Sequence, residues 1–137
     1  MSRIIISLKP QFASLIEERK KNHEFRKKVP KRKPTEIWIY VTRPVAKLAY
    51  IAKVGNYIEY PKKIDNFGHG NTDFNAGTKT KYAYPIKSLY KLKKPIPLKE
   101  LKAKFNFVAP QNFVYVDKYI ELKKYLLEEV KEIKKIF

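Results

Sequence analysis

Short apolar runs alternate with polar, proline-containing segments along most of the chain, a pattern typical of a mixed α and β domain. Arg3 to Leu8, Glu36 to Thr42 and Leu48 to Val54 are rich in β-branched and aromatic side chains and predict strands. Tyr82 to Leu92 predicts further strand, and the extended segment Lys93 to Pro97 follows it. None of these runs approaches the roughly 20 apolar residues that span a bilayer.

Three segments carry apolar residues at helical spacing instead. Phe12, Leu15 and Ile16 share one face of a helix that we expect to run from about Pro10 to Lys21. A short helix is expected from Leu98 to Lys104. The last segment predicts an amphipathic helix whose apolar face contains Tyr119, Leu122, Leu126, Val130, Ile133 and Phe137.

Two shorter segments, His23 to Val29 and Phe113 to Val116, complete the predicted sheet. The polar stretch from Lys62 to Lys81 is rich in Gly, Asn and Asp and is long for a structureless loop, so we expect it to be functional or disordered. A length of 137 residues suffices for one hydrophobic core. We therefore expect a single α+β domain covering residues 1–137.

The formal net charge of +18 favours a polyanionic partner, because positive potential attracts phosphate and the release of bound cations drives association. The excess is regional: residues 79–104 contain nine Lys and one Glu, whereas residues 117–137 contain six Lys and five acids. Nucleic acid is the leading candidate, RNA in preference to DNA. A lysine-rich composition without function is the alternative. Sequence-independent attraction would come from Lys27, Lys28, Lys31, Arg32 and Lys33.

Several classes of chemistry have no support in the sequence. Without cysteine there is neither a disulfide framework nor a thiolate zinc site, and only His23 and His69 could supply imidazole ligands. We expect no metal and no cofactor, since Gly-rich phosphate loops and hydrolase motifs are also missing. The first residues lack the long apolar region of a signal peptide. A soluble intracellular protein, cytoplasmic or nuclear, is therefore expected.

The most informative residues lie where the first helix should give way to a strand. Between Arg19 and Lys33 the only acid is Glu24, so its carboxylate should have specific cationic partners. Glu24 and Arg26 alternate along the predicted strand and therefore share one face, with Lys21 close by. The group is a candidate binding site, and a salt-bridge network that only ties helix to strand is the alternative.

The stretch from Ile4 through Arg26 resembles the start of the activating signal cointegrator homology (ASCH) domains of the PUA-like superfamily. It contains Ser7-Leu8-Lys9-Pro10, an amphipathic helix and then Lys21-x-x-Glu24-x-Arg26. The family pattern is Gly-x-Lys-x-x-Glu-x-Arg, and Arg19 replaces its Gly. This departure predicts a different helix ending, because Gly favours the left-handed cap. The resemblance covers the first 26 residues closely, and the later strands agree in general order.

The resemblance implies a small, partly open mixed β-barrel flanked by a helix in the N-terminal half and a C-terminal amphipathic helix. It also implies a basic cleft that binds nucleic acid and captures a flipped or modified base, with a lining that includes Lys9, Lys21, Glu24 and Arg26. An aromatic side chain could stack on such a base. The candidates are Trp38, Tyr40, Phe67 and Phe74, although the first two share one strand face and core packing is the favoured interpretation for them.

Two other functions are left open by the sequence. Some ASCH domains are small amidohydrolases acting on acetylated cytidine and others are nucleases, and Lys21 and Glu24 would then be catalytic. Lysine acts as nucleophile or base only if its pKa is lowered by burial or neighbouring cations. The amidohydrolases place Thr at the Glu24 position and an acid on a later strand, whereas Leu48 to Val54 contains no acid. A protein-interaction adaptor that uses the last helix is the second alternative.

Overall fold

The computed structural model describes residues 2–130 and 132–137 and confirms the predicted α+β class. The strands are β1 Ser2–Leu8, β2 His23–Arg26, β3 Pro34–Val41, β4 Lys47–Val54, β5 Ile58–Glu59, β6 Tyr82–Pro97, β7 Val114–Tyr115 and β8 Ile133–Lys135. One sheet, in the order β2-β6-β4-β3-β1-β7, curls into a half barrel. Strands β5 and β8 pair with β6 outside this path.

Four α-helices accompany the sheet in the described part of the chain: α1 Pro10–Glu17, α2 Asn71–Ala76, α3 Leu98–Phe105 and α4 Ile120–Lys124. A 3-10 turn, Val116–Lys118, precedes α4, and a π-helical turn, Tyr125–Glu129, extends it. No helix in these ranges combines the length and the apolar character needed to cross a membrane.

The strand β6 organises the sheet because it is 16 residues long and has neighbours on both edges. Its first residues pair with β2 and β5, and its remainder pairs with β4 and β8, all antiparallel. The parallel pairing of the sheet joins β1 to β3, which aligns Ile4 with Ile37 and Ile6 with Ile39. Pairing of β7 with β1 agrees with the strand predicted at Phe113 to Val116.

Two apolar clusters lie on opposite faces of the sheet, because successive strand residues point to opposite sides. In β1, Ile4 and Ile6 belong to the cluster that α1 covers, whereas Ile5 belongs to the cluster that α3 and α4 cover. Burial on both faces explains why the central strands read as nearly continuous apolar runs.

The C-terminal segment differs from the predicted amphipathic helix. Helical structure ends at Glu129, and Ile133–Lys135 form β8, which pairs with Tyr90–Leu92 of β6. Val130 and Ile133 still pack on one cluster, and Phe137 packs on the other. The helical spacing was therefore right about burial and wrong about conformation. The open edge of β6 offers hydrogen bonds to a strand that a surface helix could not accept.

The end of α1 also departs from the sequence-based expectation. The helix stops at Glu17 rather than Lys21, and Arg19 adopts φ 63°, the left-handed conformation of a glycine cap. The backbone amides of Lys20 and Lys21 then both donate to the carbonyl of Leu15, at 2.8 and 3.0 Å. Arg19 thus preserves the ending that a glycine would give, and the predicted different ending is wrong. Its guanidinium lies 4.7 Å from the centre of the Phe137 ring.

The left-handed Arg19 predicts that Arg19→Gly is more stable than Arg19→Ala by about 1 kcal/mol, because only glycine avoids the steric cost of positive φ. Both variants lose the contact with Phe137, so their difference isolates the backbone conformation. The measurement is the free energy of unfolding in urea for the two variants.

The control for this comparison is Ser14, an exposed position inside α1. There the order should reverse, with Ser14→Ala more stable than Ser14→Gly by about 1 kcal/mol, because alanine has the higher helix propensity. The same sign at both positions would show that Arg19 does not adopt the left-handed conformation in solution.

Candidate functional site

Lys21 and Glu24 form a buried ion pair at the junction of α1 and β2. Lys21 follows the left-handed turn that ends α1, while Glu24 lies in β2 opposite Tyr84 of β6. The Lys21 Nζ is 3.6 Å from the Glu24 Oε1, and each residue is only 5% exposed. Such burial is unusual for either residue type and is tolerated because the charges are paired.

Arg26 continues this arrangement away from the helix. Its Nη1 lies 3.3 Å from the Glu24 Oε2, and its Nη2 donates to the backbone carbonyl of Asn112. The shared face predicted for Glu24 and Arg26 is therefore present. Arg26 connects β2 to the segment that leads into β7, so it links the site to the opposite end of the sheet.

Burial and neighbouring charges shift the pKa of Lys21 in different directions. Loss of hydration lowers the pKa of the Lys21 amine below its usual range, Glu24 partly opposes this change, and Arg26 adds to it. The Glu24 Oε1 accepts no hydrogen bond in the described part of the chain, although it is buried. The pair thus presents one charged donor and one under-used acceptor side by side.

These two side chains line a cavity of about 320 Å³, which we call the Lys21 cavity. Aromatic rings form much of it: the Lys21 Nζ lies 4.4 Å from the centre of the Phe25 ring and 5.9 Å from that of Phe12. The other lining residues are Leu8, His69, Gly70, Asp73, Phe74, Lys79 and Thr80. The site is a buried charged pair beside aromatic rings, and Asp73 and Lys79 add further charges to the lining.

The segment Lys62 to Lys81 supplies one wall of the Lys21 cavity and is ordered, with α2 in its middle. His69 is fixed by its amide, which donates to the Lys20 carbonyl at 2.7 Å. Gly70 adopts φ 83°, and a Cβ at this position would lie 2.8 Å from the Phe25 Cε2. This wall therefore packs on Phe25, which also lines the cavity.

The Asp65 carboxylate holds this wall together. It accepts hydrogen bonds from the amides of Phe67 and Gly68 and from the side chains of Asn22 and Asn71. Burial alone would raise the pKa of Asp65, but these donors outweigh it and leave the pKa below its usual value. One charged acceptor thus ties the long segment to the chain just before β2.

Only one of the four proposed stacking residues reaches the Lys21 cavity. Phe74 is buried there and packs on Phe25 with ring centres 5.8 Å apart. Phe67 is 95% exposed and lies outside the cavity lining. Trp38 and Tyr40 are buried in the cluster under α3 and α4, and the Trp38 indole donates to the Glu36 carboxylate. Neither ring is available to a base, so the stacking role suggested for them is wrong and both are core residues, the favoured interpretation.

The remaining predicted residues are spread around the site. Lys9 is exposed at the start of α1 and does not line the cavity, and Arg26 contacts Glu24 without lining the cavity. Lys27, Lys28, Lys31 and Lys33 are exposed, as expected for residues that attract phosphate. Arg32 is exposed too, but its guanidinium lies 3.3 Å from Asp117 and 3.8 Å from the centre of the Tyr115 ring.

Most of the other cavity residues were missed by the sequence-based prediction. Phe12 falls on the apolar face of α1 and reads as core, and Phe25 alternates with Glu24, which predicts that it faces elsewhere. Lys79 and Thr80 carry no local signal, whereas His69 and Asp73 lie in the Gly-, Asn- and Asp-rich part of the long segment that was expected to be functional or disordered. Their recruitment depends on how the long segment folds back over β2. Among the described residues, no group of three or more acidic or His side chains is arranged to hold a metal ion.

The buried pair predicts that Glu24→Leu destabilises the protein by about 3 kcal/mol, because Lys21 is left buried without its carboxylate partner. Adding Lys21→Met should restore at least about 1 kcal/mol of this loss, since two apolar side chains tolerate burial. Urea unfolding of the single and double variants measures both effects.

Glu18 and Lys20 provide an exposed control pair in the same region, with Nζ and Oε2 3.4 Å apart. Glu18→Leu should cost less than about 0.5 kcal/mol. A double variant at Lys21 and Glu24 that is less stable than Glu24→Leu alone would contradict a desolvated ion pair.

Comparison with known proteins agrees with this architecture. The chain is 30% identical over 125 residues to an ASCH domain-containing ribonuclease from Zymomonas mobilis, covering 83% of this chain and 84% of the relative. A crystal structure of ASCH from Zymomonas mobilis superposes with a TM-score of 0.67 at 28% identity, covering 91% of this chain and 94% of that chain.

A Tyr-to-Phe variant of the Zymomonas mobilis ASCH protein gives a TM-score of 0.71 at 27% identity, over 93% of this chain and 99% of that chain. No family model matches the sequence. The identity to the ribonuclease relative nevertheless extends over most of both chains, and the fold is shared. The Lys21, Glu24 and Arg26 pattern of the ASCH domains is also present. On these grounds the chain belongs to the ASCH domain family.

Proposed function

We propose that this protein binds single-stranded RNA and takes one nucleobase into the Lys21 cavity. The observation that carries the proposal is the buried Lys21 and Glu24 pair beside aromatic rings. Kinship with a protein named as a ribonuclease supports a function on RNA. The cavity, at about 320 Å³, falls at the small end of the range for ligand sites, as suits a base or nucleoside rather than a larger molecule.

The chemistry of the cavity matches the edge and the faces of a base. The Glu24 Oε1 can accept a hydrogen bond from an exocyclic amine or a ring N–H, while the Lys21 Nζ can donate to a neighbouring ring nitrogen or carbonyl. Phe12 and Phe25 line the cavity beside the Lys21 amine and supply aromatic rings for contact with the base. Only an unpaired base can present its edge in this way, which favours single strands over duplexes.

The positive charge of the protein suits the phosphate groups along the rest of the RNA. With a net charge of +18 and exposed lysines at Lys27, Lys28, Lys31 and Lys33, phosphate groups are attracted irrespective of sequence. Attraction of this kind determines affinity and its dependence on salt. Base uptake then determines which strand position is held.

Stacking in the Lys21 cavity predicts that Phe25→Leu weakens binding of single-stranded RNA about tenfold, because one aromatic face is worth about 1–3 kcal/mol. Fluorescence anisotropy with labelled RNA at fixed salt measures the dissociation constant, and circular dichroism checks that the variant is folded.

Phe67→Leu is the matched control, because Phe67 is 95% exposed and lies outside the cavity lining. It should leave the dissociation constant within about twofold of wild type. An equal loss in the two variants, or a loss only in Phe67→Leu, would locate the binding surface elsewhere.

Cleavage of the bound RNA is the second candidate function, favoured by the lowered pKa of Lys21 and by the relative named as a ribonuclease. A neutral Lys21 amine could remove the proton from a ribose 2′-hydroxyl, so that the 2′-oxygen attacks the phosphorus and the 5′-oxygen leaves. A water molecule could return a proton to the leaving oxygen.

This candidate predicts that Lys21→Met abolishes RNA cleavage while Lys20→Met, at the exposed neighbouring lysine, leaves it unchanged. The wild-type rate should rise with pH up to the Lys21 pKa, because only the neutral amine can act as the base, and that pKa lies below the ordinary 10.5. Gel analysis of a labelled RNA across a pH series gives the rates. Intact RNA with the wild-type protein would leave binding as the function.

A further inference from the structure

A second cavity, of about 250 Å³, lies beside the Lys21 cavity and shares Lys79 and Thr80 with it. We call it the Lys27 cavity, and its other lining residues are Lys27, Tyr60, Gly77, Thr78 and Lys81. Three of the seven lining residues are lysines, and none is acidic. A cavity with this lining favours an anion.

The three lysines are held in different ways. The Lys79 Nζ lies 3.3 Å from the Asp73 carboxylate and the Lys81 Nζ lies 3.3 Å from the Glu59 carboxylate. Lys27 makes no ion pair within the described ranges 2–130 and 132–137. Both acids are about half exposed, so the pairs are weak and their lysines can turn towards a ligand at little cost.

The backbone beside these lysines is packed against Tyr60, and two of its amides are available to a ligand. Gly77 ends α2 at φ 71°, and a Cβ there would lie 2.5 Å from the Tyr60 Cζ, so this turn packs directly on the tyrosine ring. In the described part of the chain, the amides of Lys79 and Thr80 donate to no protein acceptor. Free amides together with lysine ammonium groups are a common combination at phosphate sites.

We propose that the Lys27 cavity binds a phosphodiester group of the RNA strand whose base enters the Lys21 cavity. This inference rests on the proposed function and adds the place where the backbone is held. A nucleotide joins its base and its phosphate through one ribose, and Lys79 and Thr80 line both cavities. The base and the phosphate of one nucleotide can therefore occupy the two cavities.

The first test replaces all three lysines: Lys27→Gln, Lys79→Gln and Lys81→Gln together. The matched control is Lys93→Gln, Lys94→Gln and Lys99→Gln, which removes the same charge from exposed positions outside both cavities. The probe is an unstructured RNA of about 12 nucleotides, within the usual range of binding-site sizes. Affinity should fall about tenfold and the salt slope by about 0.7 in the first variant, clearly more than in the control.

The second test locates the contact on the RNA. A series of probes each carries one neutral methylphosphonate linkage, and wild type should lose about tenfold in affinity for one linkage. That linkage should make no difference to the Lys27, Lys79 and Lys81 variant, whereas the control variant should still detect it. Equal losses in the two triple variants, or no selective linkage, would overturn the inference.

Failure of the phosphate site and failure of base uptake would give different results. If wild type binds RNA and Phe25→Leu weakens that binding, but the two triple variants behave alike, then base uptake stands and the phosphate site is wrong. If wild type binds no RNA at all, both are wrong.

Discussion

The arrangement of this molecule depends on the hydrogen bonds along both edges of β6. Because β6 is 16 residues long, one end supports β2 and β5 while the other supports β4 and β8. The pairing with β2 places Glu24 against Tyr84, and the pairing with β5 closes the long segment that forms the wall of the Lys21 cavity. The hydrogen bonds of β6 thus position both the site and the core.

The buried charges show what such a scaffold tolerates. A lysine and a glutamate removed from water would each be costly alone, and here each reduces the cost of the other. Arg26 shares the carboxylate but is also bonded to the carbonyl of Asn112, so the cluster is not neutral and not fully satisfied. The proposed ligand would give the Glu24 Oε1 the hydrogen-bond partner that it lacks within the described part of the chain.

Much of the fold could be read from the sequence, because the central strands are buried on both faces and therefore carry strong apolar runs. Lys21, Glu24 and Arg26 were also recognisable, since a lone acid among cations needs partners. The conformation of β8 could not be predicted, because the same apolar spacing suits a helix and the free edge of β6 decides between them. The ending of α1 was also mispredicted, because Arg19 adopts a positive φ that non-glycine residues normally avoid and that its turn imposes.

The wall of the Lys21 cavity was hidden for a related reason. Its helix α2 is stabilised by a carboxylate six residues before Asn71 and by contacts with β2, neither of which a local pattern reveals. Polar composition therefore suggested a loop, although Phe74 is fully buried. Sites built by long-range packing leave their trace in the tertiary structure rather than in any short stretch of residues.

The parallel pairing of β1 with β3 has a consequence for how the chain folds. Since β1 lies between β3 and β7, it cannot gain its second neighbour during synthesis until Val114–Tyr115 have been made. Until then its apolar residues remain without a complete sheet. Such distant pairing slows folding and extends the time during which a nascent chain needs protection from aggregation.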